Sequence, residues 1–226
     1  MNSGILAPKP SEFKTIMDLS ILNQVFDLST FRYASLFEGI TFPWEALERL
    51  KEFLKKLPLG EIKGKINSGV FLENPELISI GEETVVESGA YIRGPCIIGR
   101  NCQVRHGAYI RGHVLVGDTC VIGHSTEVKH SIFLNRAKAG HFSYVGDSIL
   151  GNGVNLGAGT KCANLRFDGA KIIVHFNQTK IQTGLKKLGA IFGDESQTGC
   201  NSVTNPGAIL EKGGVIYPCS NEKSPR

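Results

Sequence analysis

Arg93, Arg111 and Lys129 recur at every eighteenth position, and His106 and His124 share that interval. If a repeat brings them into register, the three cations stack at one strand spacing, roughly 4.8 Å. Unit charges that close repel by about 0.9 kcal/mol even at the dielectric of water. Such a column needs an anion or a carboxylate against it, which makes it a candidate phosphate clamp. The plainer alternative is a solvated column with splayed side chains, partly neutralised by Glu127. Two stacked imidazoles invite a zinc reading with His130 as third ligand, but His130 lies six positions beyond His124. Two polar surface histidines are the stronger reading, and no metal site is expected. Farther on, His141 follows Gly140 and precedes Tyr144, a titratable group able to serve as general base.

The elements that must position these residues show in a period of six. Ile80, Val86, Ile92, Ile98, Val104, Ile110, Val116, Ile122 and Val128 are all aliphatic, and small or β-branched residues follow each of the first eight four positions later. Neither a lone helix nor a hairpin sheet has that period; stacked coils of short strands do. The pattern breaks across 134–149, resumes at Leu150, Leu156 and Cys162, and breaks again near 165–190 around Lys180, Lys186 and Lys187. The first break reads as an excursion from the solenoid, a place where function concentrates. Cys96, Cys102 and Cys120 fall at the small inward position and Cys162 at the aliphatic one, which predicts buried structural thiols. Hexads of this form resemble the hexapeptide-repeat family. That resemblance implies an all-β, left-handed parallel β-helix with three hexads per coil, so every third hexad becomes a neighbour.

Residues 1–60 read differently, as a small N-terminal helical segment ahead of a β-helix domain over 61–226. Trp44, Leu47, Leu50, Leu54 and Leu57 recur at helical spacing, with Thr41 as candidate N-cap, Pro43 in the first turn, and Pro58 and Gly60 as stop. One apolar stripe predicts packing and no chemistry. A formal charge of +4 is too small to argue for nucleic acid. The chain shows no basic, apolar leader and no apolar run long enough to span a bilayer, so the expectation is a cytoplasmic protein off the membrane.

From Arg111 to Lys171 the chain carries EVK, KAGHxxYxGD, VNxGAGT and ANLRxDGAK. These motifs resemble the C-terminal acetyltransferase domain of the bifunctional UDP-N-acetylglucosamine pyrophosphorylase/glucosamine-1-phosphate N-acetyltransferases, and related sugar-phosphate nucleotidylyltransferases. The likeness covers the chain from position 80 to about 216. It implies that Arg111 and Lys129 hold a sugar phosphate, completed by Tyr144, Asn155 and Lys171. It also implies His141 as general base with Glu127 orienting its ring, and acetyl-CoA as co-substrate near Asn164 and Ala158. Cys200 stands where the family has a serine against acetyl-CoA, and lysines of the second insertion, Lys186 and Lys187, are candidates for its phosphates. The family's sites lie between subunits, so a homotrimer is expected. The helical segment leaves no room for a nucleotidyltransferase domain, so a separate one would use the product. Acyl transfer to another amino or nucleotide sugar, or a catalytically inactive trimeric sugar-phosphate-binding protein, are the alternatives, with a zinc hydratase last.

Overall fold

The computed structural model describes residues 21–177 and 179–222; the stretch 1–20 of the helical segment and 223–226 of the β-helix domain lie outside them. The repeat folds as expected into a parallel β-helix with three walls. The first has eight strands from Lys65–Ile66 to Val215–Ile216, the second eight from Phe71–Glu73 to Asn221–Glu222, and the third seven from Ile78–Ile80 to Ala208–Leu210. Neighbouring strands in each wall are parallel, because every connection travels round the prism before meeting its own wall again. The aliphatic column points inward and forms the core with Phe133, Ala139, Val145, Leu150 and Phe192. Cys96, Cys102, Cys120 and Cys162 are buried, Cys200 and Cys219 exposed. Burial pushes the Cys96 and Cys162 thiols up to about 12, so they are inert packing groups.

The stretch 134–149 departs from the expected excursion. It forms regular strands, Lys138–His141, Tyr144–Gly146 and Ile149–Leu150, hydrogen-bonded to the coils on both sides. The corner between second and third walls is one residue shorter here, so the inward position falls on Phe133 and then Leu150, while Leu134 packs outward. The second interruption is a true insertion. It carries an antiparallel hairpin, Ile173–Phe176 with Thr179–Gln182, and its ends meet where the Leu188 N–H donates to the Asn164 carbonyl (3.1 Å).

The third wall is apolar on its outer side too. Ile97, Leu115, Ile132, Ile149 and Ile191 form a second core with the N-terminal segment and with Ile172, Val174 and Phe176 of the insertion. Helices α1 (Ile21–Val25) and α2 (Glu45–Lys55) supply the cover. Of the expected stripe, Trp44, Leu47, Leu50 and Leu54 are buried, each contributing about 1.5–3 kcal/mol, and Leu57 is half-buried. The helix begins later than expected. Pro43 and Trp44 lie in the preceding turn, and the Thr41 N–H donates to the Glu45 carboxylate (2.9 Å), so Thr41 is not the N-cap.

Candidate functional site

The corner between first and second walls stacks one residue per coil. Ser88, His106, His124, His141, Ala158 and Cys200 succeed one another there, with backbone N–H groups of Ser125, Phe142, Gly159 and Asn201 donating to the carbonyls of His106, His124, His141 and Ala158. His106 and His124 are parallel, ring centroids 5.6 Å apart. Each aligns Nδ1 on the carbonyl below, Ser88 at 2.7 Å and His106 at 2.8 Å. They build a ladder with no third ligand: His130 lies at another corner, and no group of three or more His, Cys, Asp or Glu among the described residues is placed to hold a metal ion.

His141 ends the strand Lys138–His141, directly above His124 in register. Gly123 makes this stacking possible, since a Cβ there would collide with the Gly140 carbonyl oxygen. Phe142 follows with φ of 52°, turning its exposed ring edge-on to His124 (5.1 Å). The His141 imidazole is exposed and has no hydrogen-bond partner among the described residues. Glu127 does not orient it: its carboxylate accepts from the Arg111 guanidinium at 2.7 Å.

The cation column is answered by carboxylates at every level. Arg93 pairs with Glu73 (2.7 Å), Arg111 with Glu127 (2.7 Å) and Lys129 with Asp147 (3.0 Å). The clamp of three free cations is therefore absent, because the repulsion between them is cancelled within the chain. Arg111 and Glu127 are 40% and 34% exposed, and so open a pair costs about 0–1 kcal/mol to part. An incoming phosphate can take Arg111 more readily than Lys129, whose partner Asp147 is buried.

Asp147 gathers this side of the site, and the sequence reading assigned it no role. Its Oδ2 accepts from Lys129 and from the Asn164 carboxamide (2.6 Å), and its Oδ1 faces His130 Nδ1 (2.8 Å). Asn164 donates as well to the Tyr144 hydroxyl (3.2 Å). Asp147 lies eighteen positions beyond Lys129, but the shortened coil puts Gly146 in register with Lys129, so Asp147 falls one residue past it, at the corner. Burial alone would raise its carboxyl, but the donors His130, Lys129 and Asn164 outweigh it and hold it at about 2. The folded value lies below the ordinary 3.8, so the carboxylate stabilises the fold fully above about pH 4 and loses that contribution as pH falls toward 2. Asp147→Asn should abolish about 2 kcal/mol of acid-dependent stability, read from denaturant midpoints at pH 2–6. An unchanged acid limb would count against this assignment.

The structure thus joins Lys129 and Asn164 through Asp147 and Tyr144 through Asn164, puts Arg111 one coil below Lys129, and stacks His141, Ala158 and Cys200. Asn155 sits exposed on the first wall, on a different face from the second-wall residues. Lys171, Lys186 and Lys187 are exposed on the insertion. A cavity of about 300 Å³ lined by Arg32, Tyr33, Lys63, Ser79 and Arg100 contains none of these residues.

Residues 92–212, more than half of the chain, match the family described as the GMPPB C-terminal domain. The chain belongs to the GlmU/GMPPB C-terminal family of hexapeptide-repeat acyltransferase domains. A bifunctional sugar-1-phosphate nucleotidylyltransferase/acetyltransferase of Sulfurisphaera tokodaii is 34% identical over 82% of this chain and 46% of its own length. A bifunctional GlmU protein of Methanococcus maripaludis is 42% identical over 78% of this chain and 42% of its own length. This GlmU-like chain therefore spans less than half of those relatives. YaiX of Escherichia coli K12, named as an uncharacterized acetyltransferase, is 31% identical over 76% of this chain and 74% of its own. No helix among the described residues is long and apolar enough to cross a membrane.

Proposed function

We propose that this chain is an acetyl-CoA-dependent N-acetyltransferase acting on an amino-sugar phosphate, glucosamine-1-phosphate first among acceptors. The observation that carries the reading is the unengaged imidazole of His141, exposed at the corner that leads into the second wall carrying Tyr144, Lys129 and Arg111, in a family of acyltransferase domains. Arg111 and Lys129 hold the phosphate, with Tyr144, Asn155 and Lys171 around the sugar. His141 takes a proton from the sugar ammonium, and the freed amine attacks the thioester carbonyl. The N–C bond forms as the oxyanion develops beside Ala158 and Asn164. On collapse the C–S bond breaks, the CoA thiolate takes the proton that His141 held, and the second proton of the attacking nitrogen passes to solvent as the amide forms. Positioning and proton transfer suffice, without a metal. Cys200, one coil above Ala158, lies against the donor.

Asn155 and the second-wall residues face different sides of one prism, so a single chain does not close a pocket around the sugar. The reading therefore takes the site to lie between copies of a homotrimer, acting in the cytoplasm, its product passing to a separate nucleotidyltransferase. An active monomer by light scattering would overturn that assembly. Lys186 and Lys187 contact the CoA phosphates in this reading; changing both to alanine should raise KM for acetyl-CoA severalfold, and an unchanged KM removes them from the donor site.

The deciding assay is thiol release from acetyl-CoA with glucosamine-1-phosphate, galactosamine-1-phosphate and glucosamine-6-phosphate. Release with a 1-phosphate sugar supports the reading and names the sugar. The missing Glu127–His141 contact favours a second reading, a sugar-phosphate-binding protein without catalysis. Binding of a sugar phosphate with no thiol release would select it, while release with another amino or nucleotide sugar would move the acceptor within the same chemistry.

A further inference from the structure

His130 lies where the N-terminal segment meets the site. It follows the strand Glu127–Lys129 at the corner of second and third walls, with φ of 44°. Its Nδ1 faces Asp147 Oδ1 at 2.8 Å, and its Nε2 faces the Leu47 carbonyl oxygen of α2 at 3.0 Å. Both neighbours can only accept. A neutral imidazole has one N–H, so the two bonds coexist only when both ring nitrogens carry protons. The buried Asp147 carboxylate supplies the compensating charge, as a partly buried cation requires.

The chain of contacts then runs without a gap from helix backbone to site. The Leu47 carbonyl holds His130, His130 holds Oδ1 of Asp147, and Oδ2 holds the Lys129 ammonium and the Asn164 carboxamide. A carboxylate fixed at one oxygen presents the other in one place. Freed at Oδ1, Asp147 can rotate, and Lys129 and Asn164 lose their common anchor. Lys129 is the neighbouring cation on the strand; on α2, Glu48 adjoins Leu47, and Lys51 and Lys55 face His113, whose ring meets His130 edge-on at 6.3 Å. Asp147 is the carboxylate in direct contact with the ring, at 2.8 Å.

We infer that His130 is a positioning residue, through which the N-terminal helical segment fixes the Lys129 and Asn164 side chains of the site. The inference rests on the acetyltransferase reading for its kinetic consequence, though not for the placement itself. The helical segment is thus more than a cover for an apolar wall. Its α2 backbone contributes an acceptor to the network that orders the substrate groups.

The test compares full-length wild type, His130→Ala, His130→Gln and His141→Ala, each first checked for cooperative melting. In wild type, ¹⁵N-histidine spectra should show His130 Nδ1 and Nε2 engaged in the hydrogen bonds to Asp147 and to the Leu47 carbonyl. The Asn164 side-chain N–H₂ pair should be shifted and protected, and should collapse toward the free-carboxamide position in His130→Ala. With a 1-phosphate amino sugar, folded His130→Ala should raise KM about 3–30-fold with kcat within about twofold, the range typical of residues acting through a network. His141→Ala should show the opposite split. His130→Gln, which can still donate to Asp147, should recover part of the loss. A His130 ring without the hydrogen bonds to Asp147 and Leu47, or unchanged Asn164 resonances in folded His130→Ala, overturns the inference whatever the enzyme does. If wild type releases no thiol, the acetyltransferase reading fails, and the two spectroscopic readouts still decide the role of His130. A lowered melting temperature with unchanged KM and unchanged Asn164 resonances would leave His130 a purely structural clasp, and would also overturn it.

Discussion

His141→Ala is expected to lower kcat for acetyl transfer by about 10²–10⁴-fold while leaving KM for the sugar phosphate within about threefold. The size is that of a lost general base. An amino sugar arrives as ammonium, with no lone pair to attack, and the exposed His141 imidazole has neither ring nitrogen engaged among the described residues. The separation of kcat from KM follows from the architecture. Phosphate contacts are assigned to the second wall, at Arg111 and Lys129, while His141 sits at the end of a first-wall strand. Removing an interaction made mainly in the transition state lowers kcat and kcat/KM together. Stopped assays of thiol release and of acetylated product should agree. A full rate in the mutant would place the base elsewhere.

Phe133→Ala should cost about 3–5 kcal/mol of stability, more than any surface change near the site. Phe133 is fully buried at the inward position of the third wall, in register with Val116 below and Leu150 above. It belongs to the first short coil, where one corner residue is missing and a large ring occupies the core. Truncation leaves a cavity between layers that cannot approach, because parallel strands fix their separation. Coils hold mainly to their neighbours, so the damage should concentrate in the layers carrying Glu127 to Tyr144. Chemical denaturation should show a lower midpoint, and hydrogen exchange should quicken first in those strands. An unshifted midpoint would mean the cavity had collapsed without loss.

The solenoid was legible because its coils from Ile80 to Val128 have equal length, so the inward column returns every sixth residue. Beyond Val128 counting by six lands on Leu134, Gly140 and Gly146, each one past the inward Phe133, Ala139 and Val145. A one-residue shortening at a corner looks in sequence like lost order, though in space the ladder continues unbroken. Within the site, proximity along the stack was legible: Arg93 under Arg111 under Lys129, and His106 under His124. Which charges pair was not, because Glu127 could serve His141 or Arg111 and only side-chain geometry decides. The Leu47–His130 contact spans 83 positions and joins a helix to a coil, two periods with no common count. No spacing rule could have found it.

The paired first-wall positions Lys65, Val85, Gln103, Val121, Lys138, Asn155, Gln197 and Val215 are unevenly spaced along the chain. The opening step is two longer than a regular coil, the steps into Lys138 and Asn155 are each one shorter, and the step to Gln197 takes in the whole hairpin insertion. Yet every strand finds the same partner surface, so alignment is inherited from the layer beneath and not from a fixed chain length. Insertions and deletions that fall at a corner are consequently absorbed there, without propagating to later layers. A scaffold of this kind can gain a hairpin or lose a turn residue in one generation and keep its column of site residues intact. Its descendants should therefore differ most in corner lengths and least in the inward column.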